Sequence, residues 1–181
     1  LIRHLVKFAP ELAEWGGAFG KSGLHHRFAN HVSSQPVLFL KAMPEQPGHF
    51  RQFELALSCP LNQCEQGAKV CFVDIAEEPS RAVVERIHKQ GHAVPHFIKC
   101  DIRDIDALRG AVAEAGLRHG PVRALVNNAG NDDRHTTESV TVEYWDNRMQ
   151  VNLRHQFFAA QAVRPQMRDA GGGSIINFGS I

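Results

Sequence analysis

The chain has 181 residues, 43% of them hydrophobic and 22% charged, which is enough to bury a core and to form about one domain. A formal net charge of +1, with Lys and Arg scattered along the chain, excludes the basic footprint of a nucleic-acid or anionic-membrane binder and favours a small-molecule partner. The longest clean apolar run near the start, "VLFL", falls far short of the roughly 20 residues of a membrane span, and no basic-then-apolar signal precedes it.

The four cysteines, Cys59, Cys64, Cys71 and Cys100, lack paired metal-ligand spacing. Cys71 and Cys100 sit in apolar runs, where a thiol acts as a small hydrophobe. No metal is expected, and the setting reads as reducing and cytoplasmic.

In chain order, residues 1–63 come first. After a short helical candidate, "PELAEW", no apolar period persists, and the segment reads as irregular. Its "GGAFGKSG", Gly16 to Gly23, resembles a phosphate-binding loop, but Gly16 leaves only three residues before Gly20 where that loop requires four. From Gly67 the pattern becomes strand then helix. "KVCFVDI" is a strand; "PSRAVVERIHKQG" is a helix with Pro79 in its first turn and Gly91 at its C-cap. "HFIKC" is the next strand, and Asp104 caps a helix whose Ile105, Leu108, Val112 and Ala115 recur at helical steps. "VRALV" and "SIINF" are further strands. Between them "TVEYWDNRMQVNLRHQFFAAQAV" carries Trp145, Met149, Leu153 and Phe157 as one helical stripe. This alternation predicts an α/β fold, a Rossmann-like doubly wound parallel sheet, incomplete at both ends.

In open α/β sheets ligands sit outside the carboxyl ends of the strands, and each predicted strand ends in polar or small residues. These are Asp74, Asp101, the run Asn127, Asn128, Ala129 and Gly130, and Gly179 with Ser180. A carboxylate at Asp74 accepts from both hydroxyls of an adenosine ribose and repels a 2′-phosphate, so NAD is preferred over NADP. Asn128 to Gly130 either let a cofactor approach the backbone or simply turn the chain after a strand. Asn152 lies beside the apolar stripe, where its amide must find partners; a core amide satisfied by local backbone is the alternative to a functional one. Ser180 places a hydroxyl at a strand end, next to a reacting oxygen or merely in a turn. Asp132, Asp133, Arg134 and His135 are candidate ligands for sugar hydroxyls or, equally, a solvated loop.

"GAKVCFVDI", "CDIRD", "LVNNAG", "VNLRHQFFAAQAV" and "GGSIINFGSI", in this order, resemble the middle of a short-chain dehydrogenase/reductase of the classical type, over about Cys64 to Ile181. Within that family "NNAGNDDRH", "YWDNRMQVNLRH" and "INFGSI" are most similar to bacterial sugar dehydrogenases of the D-xylose dehydrogenase kind. The resemblance implies an NAD-dependent oxidoreductase acting on a sugar or related alcohol. It makes Asp74 the ribose-binding acid, sets Asp101 and Ile102 beside the adenine and lays Asn128, Ala129 and Gly130 along the cofactor. It puts Asn152 and Ser180 on catalytic positions, Asn152 as anchor of a water in a proton relay. A complete protein of this kind is expected to be a homo-oligomer.

Two departures from the family pattern stand beside the matches. No glycine-rich turn precedes Asp74 at the expected distance, and no glycine at all lies between Gly48 and Gly67. The Tyr-x-x-x-Lys helix that should follow the serine is not in the chain, whose single tyrosine, Tyr144, lies upstream of Ser180 and reads as a packing residue. The expectation is therefore a partial reading of a longer gene, with residues 1–63 unrelated or frame-altered and 64–181 the central part of an NAD-binding domain. Such a fragment lacks its first strand and is catalytically inactive, with at most weak nucleotide binding.

Overall fold

The computed structural model describes residues 35–40, 64, 65, 67–131, 133 and 135–178. Five strands form one sheet: β1 (Pro36–Leu40), β2 (Lys69–Asp74), β3 (His96–Lys99), β4 (Ala124–Asn127) and β5 (Ser174–Asn177). Their order is β3-β2-β1-β4-β5, and every neighbouring pair is parallel. The chain moves outward from β1 through β2 to β3, then crosses back to lay β4 and β5 on the other side. The order therefore reverses between β1 and β4, where open sheets of this kind open a crevice beyond the strand ends.

Burial on both faces explains the strand sequences. Alternate residues of β1 serve opposite cores, as a period of two requires. Leu38 and Leu40 join Cys71, Val73 and Leu125 on one face, while Val37 and Phe39 join Val70, Phe72, Ala124 and Val126 on the other. The first face is covered by α2 (Ile105–His119) and α4 (His155–Asp169) through Leu108, Val112, Ala159 and Val163. The second is covered by α1 (Glu77–Lys89) through Val83 and Ile87. Helices on both faces of a parallel sheet make the fold Rossmann-like and doubly wound.

The expectation that the sheet lacks its first strand is corrected. "PVLFL" lies in the stretch read as irregular, yet it forms the centre of the sheet, registering Leu40 with Val73 on one side and with Asn127 on the other. A strand buried on both faces is a short continuous apolar run and carries no alternation to mark it. The rest of the segment, including "PELAEW" and "GGAFGKSG", lies outside the described residues.

Local signals behave as the chemistry requires. Asp104 caps α2, its carboxylate accepting from the N–H groups of Asp106 and Ala107. Gly91 follows α1 with a φ of 77°, the left-handed conformation that ends a helix. The long segment after β4 is not one uniform helix. Thr141 caps α3 (Val142–Met149), a π turn spans Gln150–Arg154, and α4 continues from His155. The predicted stripe lies on this unit but faces outward: Trp145, Leu153 and Phe157 are 59%, 55% and 65% exposed.

Candidate active site at the strand ends

The carboxyl ends of β2, β1 and β4 lie side by side, because the register aligns Leu40 with both Val73 and Asn127. Asp74 closes β2 and is fully buried, one carboxylate oxygen accepting from the Ala76 N–H at 2.9 Å. Asp101 follows β3. Its carboxylate is gripped by Arg103, whose Nε reaches both oxygens at 3.0 Å and whose Nη2 reaches one at 2.7 Å. These hydrogen bonds hold the Asp101 carboxyl below its ordinary range. Ile102 beside it is buried.

At the end of β4, Asn127 is fully buried, and its Nδ2 donates to Oδ1 of Asn177, its register partner on β5, at 2.7 Å. The N–H of Asn128 donates to the Leu40 carbonyl at 3.0 Å, so the "NNAG" run starts where the strand order reverses. Ala129 turns inward and Gly130 is exposed. Gly130 has no positive φ, and a Cβ there would make only ordinary contact with Oδ1 of Asn152 at 3.6 Å, so packing within the described chain does not demand a glycine.

Asn152 sits in the π turn and reaches the loop after Gly130. Its Oδ1 accepts from the Asn131 N–H at 2.7 Å and its Nδ2 donates to the Asn131 carbonyl at 2.9 Å. The amide is exposed yet satisfied at both ends, by the backbone of a distant loop rather than by its own helix. The carbonyl of Asn152 accepts from Nε2 of Gln156 at 2.9 Å.

The loop is held a second time two residues on. Asp133 takes its own N–H to Oδ1 of Asn131 at 3.0 Å, its carbonyl accepts from the Tyr144 hydroxyl at 2.9 Å, and its carboxylate pairs with Arg148 at 2.7 Å. His135 stands edge-on to the Tyr144 ring, with centroids 4.0 Å apart. Tyr144 thus does more than pack: its hydroxyl ties the loop to α3. The sequence signal was the four-residue step from Tyr144 to Arg148, which puts both side chains on one helix face.

Asp133 and His135 of the predicted loop ligands are brought together with Asn131 and Asn152. Asp132, Arg134, Gly179 and Ser180 lie outside the described residues. Sequence reasoning missed Arg103, Arg148 and His155. His155, at the start of α4, is fully buried and makes no well-formed hydrogen bond; burial pushes its imidazole down to about 4, although the nearby carbonyls of Gln150 and Val151 favour the protonated ring. Cys64, Cys71 and Cys100 are free and buried, and burial raises their thiols to about 12, 12 and 11, which suits small hydrophobes and not nucleophiles.

The chain is similar to known proteins. The family model for short chain dehydrogenases matches residues 56–181. A protein of Rhizobium meliloti (strain 1021) named "Probable galactose dehydrogenase GalD" is 54% identical over 116 residues, which is 64% of this chain and 45% of that one. The D-xylose 1-dehydrogenase of Caulobacter vibrioides (strain NA1000 / CB15N) is 50% identical over 117 residues, again 64% of this chain and 45% of the relative. The chain thus spans about half the length of these curated relatives. A short-chain dehydrogenase/reductase from Serratia marcescens BCRC 10948 superposes with a TM-score of 0.66 at 28% identity, over 82% of this chain and 57% of its own. A short chain dehydrogenase from Mycobacterium smegmatis gives a TM-score of 0.69 at 22% identity, over 83% of this chain and 60% of its own, a likeness of fold alone.

Proposed function

This chain belongs to the short chain dehydrogenase family of oxidoreductases, and from that premise we propose that the full native protein oxidises an aldose at its anomeric carbon with NAD. The observation that carries the sugar assignment is the 54% and 50% identity to two relatives named for galactose and D-xylose. A nicotinamide cofactor, when bound, supplies the hydride acceptor: the pyranose gives up its C1 hydrogen as hydride and its C1 hydroxyl proton to a base, leaving a lactone.

The residues at the strand ends suit the adenosine half of such a cofactor. Asp74 offers a carboxylate to the ribose diol, and that buried negative charge repels a 2′-phosphate. Asp101 and Ile102 flank the adenine, with the Asp101–Arg103 pair as the polar edge of that pocket. Asn128, Ala129 and Gly130 line the cofactor's path, in keeping with a glycine that the described packing does not call for. Asn152 fixes the substrate loop by its side chain, so its water-anchoring role is assigned to the carbonyl, which accepts from Gln156. Ser180 is assigned to the substrate oxygen, and Asp132 and Arg134 join Asp133 and His135 as sugar ligands.

We assign the outward stripe of α3 and α4 to a second copy of the chain. Trp145, Met149, Leu153 and Phe157 are too apolar to be left in water as one continuous face. An antiparallel pairing about Leu153 sets the acidic start of α3, with Glu143 and Asp146, toward Arg164 of the other copy. No described helix is long and apolar enough to cross a membrane, and with the three buried thiols we infer a cytoplasmic setting.

A second reading has one observation in its favour. The connection from β1 to β2, residues 41–68, holds only two isolated glycines, Gly48 and Gly67, where a pyrophosphate needs close backbone approach. On that reading the 181-residue chain is an inactive α/β fragment that binds nucleotide weakly. Calorimetric titration of the chain with NAD and NADP, before and after Asp74→Ser, separates the two. Micromolar NAD binding that Asp74→Ser weakens more than NADP binding supports the first; binding of both too weak to reach the micromolar range supports the second. A substrate panel on the full native protein tests the sugar assignment, which activity on ketoacyl thioesters alone would overturn.

A further inference from the structure

Between β4 and α3 the connection buries only Ala129 among its described residues, and the polar stretch beyond Gly130 has no apolar contact of its own to fix its conformation. Yet it is tied at two points. Asn152 holds Asn131, and eleven and fifteen residues beyond Asp133 the helix supplies Tyr144 and Arg148. The Arg148 side chain is only 18% exposed, its guanidinium lies 4.6 Å above the Tyr144 ring, and its Nε and Nη1 are buried without hydrogen bonds. A guanidinium this desolvated depends on the remaining contacts, which are the Asp133 carboxylate and the ring face. Carboxylate, guanidinium, phenol and imidazole form one stack.

The outer end of that stack is His135. Its ring rests edge-on against Tyr144 at 89°, and its nitrogens have no partner among the described residues. A neutral imidazole carries one donor and one acceptor, the pair that recognition of vicinal hydroxyls requires.

We propose that Tyr144 and Arg148 are positioning residues for substrate specificity, holding Asp133 and His135 so that the imidazole meets hydroxyls of a bound pyranose. This rests on the sugar reading above and adds the machinery that sets the loop. A loop already ordered before binding loses less entropy when the sugar arrives, so loosening it raises the aldose KM while sparing the distant adenosine end.

The test uses four variants of the full native protein. Tyr144→Phe removes only the hydroxyl, Tyr144→Leu removes the ring as well, Arg148→Met removes the charge but keeps the stem, and Arg148→Lys restores the charge. Arg148→Met is expected to raise the aldose KM about tenfold, as loss of a charge-assisted hydrogen bond does, with the NAD KM moving far less. Tyr144→Phe should act in the same direction more weakly than Tyr144→Leu, and Arg148→Lys should recover part of the loss. Equal rises in aldose and NAD KM with a lowered melting temperature would mean a merely structural role and overturn the proposal. If the unaltered protein turns over no aldose, the sugar reading fails on its own, and hydrogen exchange decides the positioning claim. Faster exchange at the amides of Asn131 and Asp133 in Arg148→Met, with β4 unaffected, upholds it; unchanged exchange at those amides overturns it.

Discussion

Asn152 holds the backbone of Asn131 from both sides, accepting from its N–H at 2.7 Å and donating to its carbonyl at 2.9 Å. The π turn at Gln150–Arg154 is what presents the amide there, and such turns recur where a helix must re-aim one side chain. Asn152→Ala should cost about 1 kcal/mol in denaturant unfolding and speed hydrogen exchange at Asn131. Asn152→Asp should cost more, because it keeps the acceptor but turns a second oxygen on the Asn131 carbonyl. Stabilities of both variants equal to that of the unaltered protein would mean that the clamp contributes nothing.

The buried His155 makes stability depend on pH in a definite direction. Its folded value, about 4, lies below the ordinary imidazole range near 6.5. Above about 6.5 the ring is neutral in both states and has no effect; as pH falls from there toward about 4 the unfolded chain takes up a proton that the folded one refuses, and stability is lost. The loss at the low end is on the order of 3 kcal/mol. Unfolding free energies measured across that window should flatten in His155→Gln; an unchanged slope would assign the acid sensitivity to other groups.

Gly116 permits α2 and α4 to meet. A Cβ there would lie 2.5 Å from Oε1 of Gln166, and that amide cannot step aside freely, since it accepts from the Val122 N–H at 3.0 Å and donates to the Val112 carbonyl at 3.1 Å. Gly116→Ala is expected to destabilise by about 1–3 kcal/mol in spite of its better helix propensity. In a double-mutant cycle, Gly116→Ala should cost much less once Gln166 is already Ala; strict additivity would rule out this contact as the cause.

The exposed stripe predicts association. Trp145→Glu or Phe157→Glu should shift the protein toward monomer in light scattering, because a carboxylate at the centre of an apolar contact is desolvated without a partner. A monomeric unaltered protein would remove the second copy from that face.

Much of this was open to sequence reasoning, and the failures have physical causes. The strands β2 to β5 announced themselves as apolar runs ending in polar residues, and Asp104 as a cap. β1 did not, because four consecutive buried residues, Val37 to Leu40, with no alternation look the same as any short apolar run. The stripe from Trp145 to Phe157 was legible as helix, but equal spacing serves a buried face and an exposed one alike. The Arg103 grip on Asp101 and the Arg148 grip on Asp133 were hidden because both depend on how loops fold back, over two residues in one case and fifteen in the other. Asn152 was expected to need partners, and it has them in a loop that its helical period could not name.

The most direct test of aldose oxidation at these strand ends is to supply the full native protein with NAD and a C1-deuterated aldose, D-xylose or D-galactose, and to follow the deuterium. One deuterium is expected in the reduced cofactor for each lactone formed. Reduced cofactor without deuterium, or no reduction with any aldose while simple secondary alcohols are consumed, would contradict it.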